Sequence, residues 1–140
     1  MASDFLGTYD PKQVSLNISG LDMSGFGEGT FVTIARIDKE TYKTKVGAHG
    51  EVARVKNNNK ATKITFMLKQ TSPSNVTLDL LKNNPVAFPV LVKNNSTGKM
   101  MAVADSAWIS EEPDEEFADD ESNIEWVITC SSLNKSHLPE

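Results

Sequence analysis

Polar and apolar residues alternate along much of this chain with a period of two. In Gln13-Val14-Ser15-Leu16-Asn17-Ile18-Ser19 the alternation is unbroken, which puts Val14, Leu16 and Ile18 on one face of an expected strand. Ile64, Phe66 and Leu68 share a face in a second run, with Lys63, Thr65 and Lys69 opposite and Met67 as the exception. Ile124, Trp126, Ile128 and Cys130 alternate in a third. Residues 30–37 and 99–109 are apolar on both sides, the latter apart from Asp105 and Ser106, and so read as strands covered on both faces. Residues 88–93 add another strand. Residues 42–56 read as one long strand bent at Gly47 and Gly50, or as two short strands joined there.

Turn residues separate these runs. Asn57-Asn58-Asn59 and Asn94-Asn95-Ser96-Thr97-Gly98 are hairpin signals, because Asn and Gly accept positive φ. One segment has helical spacing instead. Ser72 is placed as N-cap, Pro73 as the first helical residue, and Val76, Leu80 and Leu81 as a common apolar face. Asn83-Asn84-Pro85 ends it, giving a helix over about residues 73–83. The expected fold is mainly β: an antiparallel β-sandwich or barrel with one α-helix. Residues 1–12 are expected as an N-terminal arm, 13–130 as a single domain with an acidic loop at 111–123, and 131–140 as a frayed C-terminal tail.

Charge sharpens this picture. The 140 residues carry a formal net charge of -5, which disfavours tight phosphate binding, since duplex affinity comes largely from Lys and Arg. Eight of the nineteen acids fall in the eleven residues from Glu111 to Glu121, so this loop is the main electrostatic feature of the chain. Three readings stay open for it: a solvated loop, an oxygen-donor calcium site, or an electronegative surface facing DNA or a basic partner. The spacing does not match an EF-hand loop, and its central glycine is missing. Lys56, Lys60, Lys63 and Lys69 read as a solvated strand face, or as a dock for the acidic loop of another copy.

Candidates for chemistry are few. Cys130 is the single cysteine and alternates with core positions, so it reads as a packed residue; no intramolecular disulfide can form. His49 sits among glycines and His137 in the expected tail, where neither is held as a catalytic base would be. The run Gly25-Phe26-Gly27-Glu28-Gly29-Thr30 has the glycines of a phosphate loop, but a strand follows it and Glu28 would repel an anion. It is expected to be a flexible lead-in. The first residues have no basic segment followed by an apolar run, so a signal peptide is not expected, and no stretch approaches the roughly 18 apolar residues of a membrane span. No cofactor, catalytic residue or metal ligand is assigned.

The order of several segments carries a resemblance. Tyr9-Asp10-Pro11-Lys12-Gln13-Val14, the run from Gly20 to Thr30, Ser72-Pro73-Ser74-Asn75, Phe88-Pro89-Val90, Ala107-Trp108-Ile109 with Glu112-Pro113-Asp114, and Asn123-Ile124-Glu125-Trp126 together resemble tail tube proteins of contractile-tailed bacteriophages, over about residues 8–130. The resemblance implies a structural subunit, not an enzyme. It implies hexameric rings whose strands close into one barrel around an electronegative lumen, stacked into a tube through which DNA is ejected. It also implies sheath, baseplate and tail terminator proteins as partners, no membrane partner, and a place in the virion after assembly in the host cytoplasm. A type VI-like secretion tube protein is the neighbouring alternative within that class. A soluble, calcium-dependent β-barrel binding module is the alternative outside it. Within the tube reading, Glu51, Asp105 and Glu125 are candidate lumen acids, expected within strands. The arm and residues 37–50 are candidate ring-to-ring contacts, through Tyr9, Lys39, Tyr42, Lys45 and His49.

Overall fold

A computed structural model describes residues 6–96 and 98–138. The start of the expected arm, residues 1–5, Thr97 of the expected turn, and the last two residues of the expected tail lie outside the described residues.

The chain begins with a short 3-10 helix, Pro11–Gln13, capped by Asp10, whose carboxylate accepts from the Lys12 N–H at 3.0 Å. Strands follow in order: β1 Val14–Ile18, β2 Leu21–Asp22, β3 Val32–Arg36, β4 Tyr42–Val46, β5 Val52–Lys56 and β6 Thr62–Lys69. After helix α1, Ser74–Lys82, come β7 Phe88–Asn94, β8 Met100–Glu111, β9 Asn123–Cys130 and β10 Leu133–His137. All pairings are antiparallel, and the fold is mainly β with one α-helix, as the alternation predicts. The main sheet runs β2-β1-β7-β8-β9-β6-β3, with β10 also on β8, while β4 and β5 form a separate ribbon.

The main sheet curls around one core. The three alternating runs supply its centre: Leu16 and Ile18, then Ile64, Phe66 and Leu68, then Ile124, Trp126, Ile128 and Cys130 are all buried. β6 and β9 pair in register from Thr62↔Cys130 to Lys69↔Asn123, so every second side chain of both strands enters the core together. A bulge in β8 at Asp105 and Ser106, opposite Pro89, lets that strand serve the core on both sides of a bend.

The helix buries a different face from the one its apolar residues predict. Ser74, Leu78 and Leu81 turn inward, whereas Val76 and Leu80 are exposed. Ser74 faces inward because its hydroxyl accepts the Ser24 N–H at 3.0 Å, so a polar residue occupies a position the apolar count skipped. Ser72 does cap the helix: its Oγ accepts from the Ser74 N–H at 3.2 Å, and Pro73 already has helical dihedrals.

Three further expectations are corrected. The described part of the expected tail, residues 131–138, is not simply frayed. β10 continues down the β8 edge where β9 stops, from Ala107↔Cys130 to Leu133↔Ala104, because half of that edge would otherwise be unpaired. The two runs read as covered on both faces each keep one side open: β3 is a half-buried edge strand, and β8 exposes Val103 and Trp108. The glycine run is packed tightly. A Cβ at Gly27 would lie 2.6 Å from Asn123, and one at Gly25 2.8 Å from Ser72, so glycine lets this segment press against the end of β6 and β9.

Candidate functional site

Catalytic groups do not converge anywhere in the described residues. Burial pushes the Cys130 thiol up to about 11, which leaves it protonated and inert at neutral pH. His49 and His137 are both exposed, the first in the turn of the β4–β5 ribbon and the second at the end of β10 on the main sheet. Among the described residues no group of three or more His, Cys, Asp or Glu side chains could hold a metal ion, and no helix is long and apolar enough to cross a membrane. The surfaces that remain are suited to contact, and there are four.

The first is the β4–β5 ribbon. Asparagine and glycine set its geometry: Asn57 donates to the Glu40 carbonyl at 2.6 Å at the base, and Gly50 closes the tip at φ 86°. All ten strand residues are exposed. The Arg54 guanidinium lies 4.5 Å from the centre of the Tyr42 ring, a cation–π contact across the pair. Four of the five expected ring-contact residues gather here: Lys39 in the lead-in, Tyr42 and Lys45 on β4, and His49 at the tip. Tyr9 does not join them. It lies instead by Val14 and Val32.

The second surface is the seam where the sheet fails to close. β1 and β3 flank a groove of about 340 Å³ lined among others by Val14, Val32, Ile34 and Val92, and beside it Val14, Met23, Phe26 and Phe31 line one of about 630 Å³. The edge of β3 that faces away from β6 has no strand partner among the described residues.

The third is the solvent face of β7, β8, β9 and β6, opposite the core. Asp105 and Glu125 lie on it, together with Leu91, Val103, Trp108 and Val127 and the lysines Lys63, Lys69 and Lys93. Glu51 is elsewhere: it lies outside the strands in the ribbon turn, where its carboxylate accepts the His49 N–H at 3.2 Å. The four lysines read as one patch are also dispersed, since Lys69 stands at the opposite end of β6 from Lys56 and Lys60.

The fourth is the acidic loop between β8 and β9. It is exposed but tethered. Gln70 donates to the Glu116 carbonyl at 2.6 Å and accepts from the Ser122 N–H at 3.1 Å. Thr71 donates its N–H at 3.1 Å, and its hydroxyl, to one Glu121 oxygen, and these bonds hold that carboxyl below its ordinary range. Lys82 bridges to Glu112 at 2.9 Å, and the Glu112 contact raises the Lys82 pKa. Between loop and sheet lies a cavity of about 440 Å³ that faces Glu111, Glu112, Asp114, Glu116 and Glu125. Sequence reasoning missed the tethers, because Gln70 and Thr71 carry no pattern; their proximity arises only once β6 and β9 pair.

The unclosed sheet, the exposed ribbon and the tethered acidic loop are surfaces through which such a fold can meet other copies or partners. The comparisons make this particular. The family model of the bacteriophage PhiTE tail tube protein matches residues 7–137, and the chain belongs to that family. It is therefore a structural component of a phage tail, not an enzyme. The chain is 32% identical over 143 residues to structural protein ORF10 of Pseudomonas phage KPP10, covering 93% of this chain and 82% of the relative. Its fold is similar to that of a chain in the sheath–tube complex of an extracellular contractile injection system, PVC, in the extended state (TM-score 0.63, 9% identity, 94% and 93% of the two chains). It is also similar to the tube-terminating cap of the anti-feeding prophage (TM-score 0.60, 7% identity, 99% and 95%).

Proposed function

We propose that this chain forms hexameric rings that stack into the inner tube of a contractile phage tail, a conduit through which DNA is ejected. The open seam is the observation that carries the ring. A sheet that ends on open strands at β2 and β3, with an apolar groove beside the seam, is a liability in a monomer; when six copies meet edge to edge, it becomes a closed wall. The β4–β5 ribbon, too exposed to belong to one subunit's core, supplies contacts between rings through Lys39, Tyr42, Lys45 and His49. Tyr9 and the arm add to them from the seam.

The solvent face of the sheet then lines the lumen. Asp105 and Glu125 set carboxylates along that wall among Lys63, Lys69 and Lys93, and Glu51 borders the channel from the ribbon tip. The carboxylates offset the lysines, so that a polyanion is not held by the wall as it passes. Sheath, baseplate and terminator proteins are the expected partners. The relatives support this, one belonging to a sheath–tube complex and the other capping a tube. Assembly takes place in the host cytoplasm. Sedimentation of the concentrated chain tests the reading, with negative-stain imaging of the pellet. Rings and tubes are expected; a protein that stays monomeric even with tail initiator components present contradicts it.

A further inference from the structure

The ribbon and the acidic loop stand at opposite poles of the subunit. The ribbon leaves the sheet where β3 ends and β6 begins, at the Arg36↔Thr62 pair. The loop rejoins it at the other end of β6, at the Lys69↔Asn123 pair. Those ends are about 23 Å apart at the usual rise per strand residue. The two elements do not meet within one chain.

They are complementary. β4 and β5 carry Lys43, Lys45, Arg54 and Lys56 and no acid, while residues 111–121 carry eight acids and no base. Each also holds an exposed apolar group. Val46 and Val52 stand opposite each other at the ribbon tip, 68% and 69% exposed, and Phe117 stands in the loop at 85%. A phenylalanine so exposed within a run of carboxylates has no role in its own subunit's core. The tethers at Gln70, Thr71 and Lys82 hold the loop in place before any partner arrives.

We infer that the acidic loop is the receptor for the β4–β5 ribbon of a second copy, Phe117 packing against Val46 and Val52 while Arg54 and Lys56, on the same face of the ribbon, meet the carboxylates. The inference rests on the stacked-ring reading and names the surface that reading leaves open. Contact between opposite poles is head-to-tail, so it does not close on a pair and propagates along an axis. Charge attraction of this kind speeds encounter and fixes orientation, and it weakens as salt rises.

The test is zero-length carbodiimide coupling of assembled tubes, followed by peptide mass spectrometry, which joins only amines and carboxylates in direct contact. Links between copies from Lys56 to residues 111–121 are expected. In parallel, Arg54→Glu with Lys56→Glu should cut pelletable polymer about tenfold, as should Asp114→Lys with Glu116→Lys. The four changes combined should restore it. All four side chains are exposed, and circular dichroism confirms that each variant is folded. Tubes that form normally and show links only elsewhere overturn the inference and leave the tube reading intact. A wild-type chain that never assembles, with its tail components present, overturns both.

Discussion

Two antiparallel pairs of this molecule obey the same backbone rules and differ in what they bury. β6 and β9 send Ile64, Phe66, Leu68, Ile124, Trp126 and Ile128 into the core. β4 and β5 bury nothing; their backbones are joined by cross-strand hydrogen bonds, and their side chains by the Arg54–Tyr42 cation–π contact and a 3.9 Å ion pair from Lys43 to Asp38. An isolated two-stranded ribbon is marginal in water. The first pair is therefore a stability element of the subunit. The second is stable enough to be presented, and its full order belongs to the assembly.

Substitutions should separate the two cleanly. Phe66→Ala opens a cavity in the β6–β9 core and should cost about 3–5 kcal/mol in denaturant unfolding, lowering tube yield only through loss of folded protein. Asn75→Ala leaves the Trp126 Nε1–H, which donates to Asn75 Oδ1 at 2.9 Å, without its partner. It should cost about 1–3 kcal/mol by the same measurement. Val46→Asp with Val52→Asp should shift stability by no more than about 0.5 kcal/mol, since both side chains are already in water, yet abolish tube growth seen by electron microscopy. If that variant unfolds, the ribbon belongs to the core and the comparison is wrong. Deleting residues 2–9 should slow tube growth with unfolding unchanged, and normal growth would remove the arm from the ring contacts.

The smallest effect concerns pH. Glu121 has its pKa lowered, chiefly by the Thr71 hydroxyl, so its contribution is present above its ordinary value of 4.5 and is lost as pH falls through the lower folded value. Amide exchange of the loop should rise in that acid range. Glu121→Gln should show this faster exchange already at neutral pH, with global stability nearly unchanged.

The same division decides what could be read from the sequence. Period-two alternation located the core strands, because burial on one face imposes that period. It misassigned the helix face, because Ser74 faces inward through a hydrogen bond that hydrophobicity does not record. It missed β10, where Leu133 is the lone buried residue of the strand and pairing to β8 supplies the rest. Of the candidate contacts, Lys39, Tyr42, Lys45 and His49 gathered on the ribbon because they lie close in sequence. Asp105 and Glu125 share the solvent face of the sheet, whereas Glu51 fell in the ribbon turn, because a charge pattern does not say where a strand ends. The tethers of the acidic loop, from Gln70 and Thr71, depend on contacts some fifty residues apart and leave no local trace.

A cryo-electron microscopy reconstruction of the tube tests the central claim most directly. The account predicts six subunits per ring, the β7–β8–β9–β6 solvent face turned to the lumen with Asp105 and Glu125, and the β4–β5 ribbon buried against the next ring. A tube with that face turned outward and the ribbon free in solvent would contradict it.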